Sequence, residues 1–220
     1  MDEQDKREKL KEFYLEIKDC NRCELSKSRT KFVFGSGSAY AEIMFVGEAP
    51  GKNEDLQGLP FVGQAGKLLD ELLGSIGYER SEVFIANVLK CRPPGNRDPK
   101  VDEVNICKGY LIEQIKIIDP KIICTMGRYS TRLLLNTDRG INGLRGKVYK
   151  IDNRIIMPIN HPAAALYTPS RMDILRQDFQ KIKNLIDSGG DLSCVNNEAL
   201  NPENEVKTYK ENKNEQLGLF

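Results

Sequence analysis

The sequence predicts an α/β protein built on a parallel sheet with helices on both faces. Strand-like and helix-like segments alternate over most of the body, the signature of successive βα units. The apolar run Ile43-Met44-Phe45-Val46 stops abruptly at Gly47, and a polar loop follows. A helical pattern with Leu68, Leu69, Leu72 and Leu73 on one side comes next, so the order is strand, long loop, helix. The chain has 220 residues, 40% hydrophobic and 30% charged, enough for one sizeable core.

The elements read in order as follows. Residues 5–19 form an amphipathic helix, with Leu10, Phe13 and Ile17 spaced three and four apart, running into Cys20-Asn21-Arg22-Cys23. Strands are expected at Glu42–Val46, Val83–Leu89, Lys121–Thr125, Val148–Ile151 and Arg154–Ile159. Helices are expected at 65–77, 101–118, 128–136 and 171–187. Asp152-Asn153 joins the last two strands as a hairpin turn. From Ser188 the pattern dissolves into Gly, Asn, Glu and Lys, and 188–214 reads as a poorly ordered tail. The expected organisation is one domain over 1–187 and a flexible tail over 188–220, with no internal repeat.

No run approaches the roughly 18 apolar residues of a membrane span, and the start Met-Asp-Glu-Gln-Asp-Lys-Arg is polar. The expectation is a cytoplasmic monomer with no membrane contact and no signal peptide. Net charge is +1. Residues 188–220 carry six acids and three bases, so the body before them holds a surplus of positive charge. That surplus is compatible with a phosphate-backbone partner without demanding one. Six cysteines, at 20, 23, 91, 107, 124 and 194, do not make a secreted disulfide scaffold in a chain of this length. They point to metal or redox chemistry.

Ligands of open α/β sheets bind in loops at the carboxyl ends of strands. Glu48 stands at such a strand tip, and Phe61 lies in the Gly-rich loop beyond it. A core element needs neither, whereas a site for a flat polar ligand uses both. Connections above about 12 residues without structure are usually functional or disordered.

Cys20-x2-Cys23, Cys91 and Cys107 make a second constellation. Two thiolates two residues apart chelate one metal centre from a tight turn; Cys91 closes a strand and Cys107 lies on the following helix. Four thiolates fit zinc or an iron–sulfur cluster, and spacing alone does not choose. A redox CxxC with two unrelated core cysteines is the plainer reading. Cys124, in an apolar run, reads as a small buried hydrophobe, and Cys194 has no neighbouring partner.

Asn87 interrupts the apolar run Val83–Leu89. A buried amide must find partners for two donors and two lone pairs. Either the backbone satisfies it, or it faces the polar edge of a base. Arg92, Arg97 and Lys100 follow in a Pro-rich loop, as a solvated surface or a phosphate clamp. His161 is the one histidine of the chain and follows a strand, with Pro162 blocking continuation of the sheet. A lone histidine is usually structural or solvated. Here Glu48, Asn87 and His161 all stand near strand ends, as a pocket rim would.

Gly47-Glu48-Ala49-Pro50-Gly51, followed by Asn53-Glu54-Asp55 and Pro60-Phe61-Val62-Gly63, resembles the first motif of the family 4 uracil-DNA glycosylases. Lys90-Cys91-Arg92-Pro93-Pro94-Gly95-Asn96-Arg97 resembles that family's second motif, and His161-Pro162-Ala163-Ala164 its last. The four cysteines fit its [4Fe–4S] ligand pattern. The match spans roughly residues 8–187 and leaves out the tail.

The resemblance implies a three-layer α/β/α sandwich with a short parallel central sheet. It implies hydrolysis of the N-glycosidic bond of deoxyuridine in single- or double-stranded DNA, in base excision repair. Gly47, Glu48 and Ala49 would line the uracil, Phe61 would stack on it, Asn87 would bind its polar edge and His161 would face its O2. Glu48, Asn87 and His161 would be the catalytic set; Arg92, Arg97, Lys100 and Arg171 would meet the DNA backbone. The water-activating Asp of family 1 has no heir at Ala49 or nearby, and Glu48 could orient the water or hold the base. The basic, His-containing insertion of covalent-trapping relatives is missing after residue 100, which favours ordinary hydrolysis.

Two other readings compete. One is a glycosylase of broader specificity, against which Glu48 after Gly47 speaks, since an apolar residue is expected there in family 5. The other is a non-catalytic iron–sulfur or zinc nucleic-acid module, which needs no Phe61, Asn87 and His161 around one base. Finally, Gln216, Leu219 and Phe220 at the C-terminus resemble a shortened sliding-clamp-binding motif. The alternative is that this end folds back on its own domain.

Overall fold

A computed structural model describes residues 3–151 and 153–191. Seven helices and six strands are seen among them. In chain order they are α1 (Glu3–Ile17), β1 (Ser36–Gly37), β2 (Ile43–Gly47), α2 (Lys52–Gln57), α3 (Gln64–Ser75), β3 (Phe84–Asn87) and α4 (Val101–Ile118). Then come β4 (Ile122–Met126), α5 (Arg128–Leu135), α6 (Ile141–Leu144), β5 (Tyr149–Ile151), β6 (Arg154–Ile159) and α7 (Pro169–Asp187).

The sheet order is β1-β3-β2-β4-β6-β5. The four inner strands are parallel, and the short outer strands β1 and β5 run antiparallel to their neighbours. Successive side chains of an inner strand point to opposite faces, and both faces are covered. Ile43 and Phe45 of β2 pack with Leu69 and Leu73 of α3 and with Phe179 and Ile182 of α7. Met44 and Val46 pack with Leu111 and Ile115 of α4, Leu134 of α5 and Ile17 of α1. The result is a three-layer α/β/α sandwich. Phe45 and Phe179 stack across the first interface, centroids 5.6 Å apart.

The helices follow from their spacing. Leu175, Phe179, Ile182 and Leu185 recur every three or four residues along α7 and are fully buried. That helix opens on Pro169, whose fixed φ suits the first turn, so it starts two residues before the sequence expectation of 171. Most other boundaries differ from expectation by one to three residues. Three elements escaped the sequence reading: β1, α6, and α2 inside the loop between Gly47 and Gly63. Gly51 precedes α2, and Gly58 closes it at φ 78. Beyond α7, Ser188, Gly189 and Gly190 still donate main-chain bonds to Asn184, Ile186 and Leu185, so the chain keeps its structure a few residues past 187. Asp152, Cys194, Gln216, Leu219 and Phe220 lie outside the described residues, and so does most of the expected tail.

The chain leaves β2 toward β3 on one side, while β4 and then β6 lie on the other. A doubly wound sheet opens a crevice at the carboxyl ends of the strands where the order reverses, here between β2 and β4. Glu48 follows β2, Asn87 ends β3, Gly127 follows β4 and His161 comes two residues after β6. No helix among the described residues is long and apolar enough to cross a membrane.

Candidate functional site

A cleft of about 440 Å³ opens at this crevice, and Glu48, Ala49, Phe61, Asn87, Arg97 and His161 are among its walls. Gly47 pairs with Asn87 in the β2–β3 register. A Cβ at Gly47 would lie 2.3 Å from Asn87 Oδ1 and 2.8 Å from the Phe61 ring, so the close approach requires glycine. Asn87 is 2% exposed, and its Oδ1 has no hydrogen-bond partner among the described residues. A structural asparagine satisfied by backbone would not leave that oxygen bare.

Phe61 is buried and sits at φ 52, a left-handed conformation unusual for a bulky residue. Two features enforce it. Glu54 of α2 accepts the main-chain N–H of Val62 at 2.9 Å and of Gly63 at 3.1 Å. Gly66 lies so close that a Cβ there would stand 1.8 Å from the Phe61 carbonyl oxygen. Glu54 therefore anchors the Phe61 loop, a role with no sequence signal beyond its place in the first motif.

His161 lies against Phe61, ring centroids 5.4 Å apart at 26°. Its Nδ1 accepts the main-chain N–H of Ala163 at 3.1 Å. Half-buried by surface area, the ring is densely surrounded by protein, and desolvation pulls it from 6.5 down to about 4. It is therefore neutral at physiological pH, with Nδ1 as acceptor and its proton on Nε2. Glu48, also half-buried, moves the other way. Burial, with Asp98 nearby, raises its carboxyl from 4.5 to about 7 against the pull of Arg128.

Asp98 and Arg128 join the loop after β3 to the first residue of α5 through a 2.8 Å ion pair. Arg128 also donates to the Tyr129 hydroxyl at 2.9 Å and lies over that ring. Neither residue was singled out from the sequence, where they stand 30 positions apart. Of the expected backbone cations, Arg97 gives its guanidinium fork to buried Glu103 at 2.9 and 2.5 Å. It braces the rim in this structure. The Lys100 main-chain N–H bonds the same carboxylate at 2.9 Å. Arg92 Nε donates to Asn96 at 2.7 Å. Among the described residues, the Arg171 guanidinium makes one long 3.4 Å hydrogen bond, to the Ala164 carbonyl, and lines a neighbouring cleft on the other side of His161.

The four cysteines come from three segments: the turn after α1, the first part of the loop after β3, and α4. Cys91 feels both Cys20 and Cys23, and Cys107 feels Cys91 and Cys23. Tyr110 donates its hydroxyl to Cys20 Sγ at 3.1 Å, and Arg29 donates to Cys91 Sγ at 3.4 Å and to the Cys20 carbonyl at 2.5 Å. Burial raises the Cys91 thiol and pushes that of Cys107 up to about 12. Among the described residues, no three Cys, His, Asp or Glu side chains converge tightly enough to hold a single metal ion. Cys124 is fully buried in the core, apart from this group.

Fold and cleft together define an α/β protein with a cleft at the carboxyl edge of its sheet, walled by an aromatic ring, a buried amide, a carboxyl and a histidine. A family model described as the uracil DNA glycosylase superfamily matches residues 34–185. The chain is 51% identical over 190 residues to a type-4 uracil-DNA glycosylase of Sulfurisphaera tokodaii, covering 82% of this chain and 85% of that one. It is 46% identical over 186 residues to one of Archaeoglobus fulgidus, at 81% and 94% coverage. It is 47% identical over 182 residues to one of Saccharolobus solfataricus, at 79% and 84% coverage. The chain belongs to the uracil-DNA glycosylase superfamily and, within it, to the type-4 enzymes.

Proposed function

We infer that this protein is a DNA-repair glycosylase that hydrolyses the N-glycosidic bond of deoxyuridine and leaves an abasic site. The observation that carries the reading is the bare Asn87 Oδ1, buried beside Gly47 and Phe61 in a cleft that also receives a neutral His161. A buried carbonyl without a partner is unfavourable until a ligand donor meets it. The N3–H of uracil is such a donor.

A base inside a duplex is out of reach, so the target flips into the cleft at an expense of a few kcal/mol. Stacking on Phe61 offsets part of this, at about 1–3 kcal/mol per base. Rings in contact at 5.4 Å leave no gap for a base between them, so uracil meets His161 by its edge. Cleavage leaves negative charge on uracil and positive charge on the sugar. The Nε2–H of a neutral imidazole directed at O2 stabilises the first, and DNA phosphates favour the second. This is preorganisation toward developing charge. In this reading Glu48, ionised above about pH 7, orients the attacking water.

Cys20, Cys23, Cys91 and Cys107 fit a [4Fe–4S] cluster. A cubane asks for one thiolate on each of four irons rather than convergence on one ion, and its sulfurs accept hydrogen bonds of the kind Arg29 and Tyr110 supply. Bound there, the cluster supplies a covalent pin between the α1 turn, the β3 loop and α4. The enzyme acts as a cytoplasmic monomer on DNA, and its C-terminal Gln216, Leu219 and Phe220 attach it to a sliding clamp. Base release from a uracil-containing oligonucleotide, beside an undamaged control, tests the function. Release from neither strand, or equal release from both, overturns it.

A further inference from the structure

Lys90 is among the largest fully buried side chains of the protein, at 0% exposure. Lysine is almost never fully buried unless paired. Its Nζ donates to the main-chain carbonyl of Asn87 at 2.9 Å and to Gln114 Oε1 at 2.6 Å. Gln114 is itself fixed, its Nε2 donating to the Phe34 carbonyl at 2.9 Å. No carboxylate lies within ion-pair distance of Nζ among the described residues. Burial lowers the Lys90 ammonium from 10.5 to about 8, and the ionisable side chain that opposes this is Cys107; the Lys90 ammonium and main-chain N–H in turn favour the Cys107 thiolate against its own burial. Lys90 is also the residue before Cys91.

One residue thus reaches the main chain of Asn87, which faces the cleft, through its side chain, while its own main chain adjoins the cysteine set: it precedes Cys91, and its N–H is directed at Cys107. A buried ammonium needs an anion as well as neutral acceptors. Gln114 and a carbonyl supply acceptors. Thiolates on a cluster of net negative charge supply the anion.

We propose that Lys90 is a positioning residue linking the two sites: its ammonium balances the charge of the cysteine-bound cluster and fixes the Asn87 main chain, and so the Asn87 amide, in the cleft. This rests on the uracil and cluster reading above. It gives a chemical reason for a four-cysteine site behind a pocket that does no redox chemistry. The cluster anchors the cation that anchors the base-reading amide.

The test uses full-length, cluster-containing protein and two variants. Wild type is assayed first for uracil release and iron content, and failure there overturns the functional reading rather than this inference. Lys90→Met removes both the charge and the donor at similar length. With wild-type iron content, it is expected to lower single-turnover uracil excision about tenfold, the scale of one lost hydrogen bond from a charged group. Affinity for undamaged DNA stays unchanged. Removing a nearby positive charge also moves the cluster's reduction potential, read by film voltammetry, to more negative values. Lys90→Gln keeps a donor for the Asn87 carbonyl and loses the charge. It is expected to restore most of the excision rate while showing the same shift of potential. An unchanged potential in either variant removes the charge role. A wild-type rate in a folded Lys90→Met protein removes the positioning role. Should Lys90→Met fail to retain iron, Lys90→Leu takes its place for the rate, a wild-type rate in it removing the positioning role, and the potential of Lys90→Gln decides the charge role.

Discussion

Gly47 and Asn87 stand opposite each other across β2 and β3, and the Asn87 amide oxygen lies where a side chain at position 47 would have to go. The strand pair thus hands a polar atom to the cleft at the one point where its neighbour has no side chain. The same vacancy admits the edge of the Phe61 ring. The buried amide and the aromatic ring of the cleft are therefore both set by one glycine.

Asn87→Ala is expected to lower uracil excision roughly ten- to a hundredfold, the consequence of leaving a buried uracil edge unpaired at about 1–3 kcal/mol per group. Melting temperature separates this from a structural role. The Asn87 oxygen has no hydrogen bond to lose, so truncation loses only the packing of a small side chain and the melting temperature falls slightly at most. Gly47→Ala, by contrast, forces Asn87 or Phe61 to move, and loses both activity and stability. A large drop in melting temperature for Asn87→Ala with an unchanged single-turnover rate would remove Asn87 from the site.

The layers of this fold were legible because burial is written in apolar residues: α7 announces itself through Leu175, Phe179, Ile182 and Leu185. The helix α2 was not, since Lys52-Asn53-Glu54-Asp55-Leu56-Gln57 has no apolar period. It is held by side-chain bonds instead: Asp55 is buried and accepts the Thr30 N–H at 2.9 Å, and Glu54 caps the Phe61 loop. In the cleft, Glu48, Asn87 and His161 were legible as polar residues at strand ends. The backbone twist of Phe61, the Asp98–Arg128 tie and the buried Lys90 were not. Each depends on partners distant in the chain, and no local pattern records such a pairing.

As-purified protein is expected to be brown, with broad absorbance near about 400 nm and about four irons per chain, through Cys20, Cys23, Cys91 and Cys107. Cys107→Ser should bleach it and loosen α4 from the β3 loop. Cys124→Ala, deep in the other core, should leave the colour unchanged. A colourless and fully active preparation carrying zinc would overturn the assignment.

Three of the last four residues of the chain are large and apolar, Leu217, Leu219 and Phe220, after a charged and polar run. Apolar groups at a chain end contribute nothing unless they dock. Deleting Gln216–Phe220 is expected to abolish binding to a sliding clamp in titration calorimetry. Cleavage of free oligonucleotides and melting temperature should stay as they were. Unchanged clamp binding, or a melting temperature lowered by the deletion, would mean that the end packs on its own domain.

The sharpest pH signature belongs to Glu48. Its folded carboxyl titrates near about 7 against an unfolded value of 4.5, because burial and Asp98 outweigh Arg128. The folded state therefore holds this proton more tightly, and the stability it lends is full below pH 4.5 and lost as pH rises through 7. His161 has the opposite sign. Its folded value of about 4 lies below 6.5, so its contribution is full above pH 6.5 and lost as pH falls toward 4. Glu48→Gln removes the first effect alone, so the variant is expected to melt higher than wild type at pH 8 and level with it at pH 4. Activity runs the other way. If the ionised carboxylate orients the attacking water, wild-type single-turnover excision climbs as pH passes about 7, while Glu48→Gln stays slow and flat. His161, already neutral, adds no limb above pH 5. A wild-type rate that ignores pH between 5 and 8, or a Glu48→Gln melting difference equal at both pH values, would show that this carboxyl neither titrates there nor serves the water.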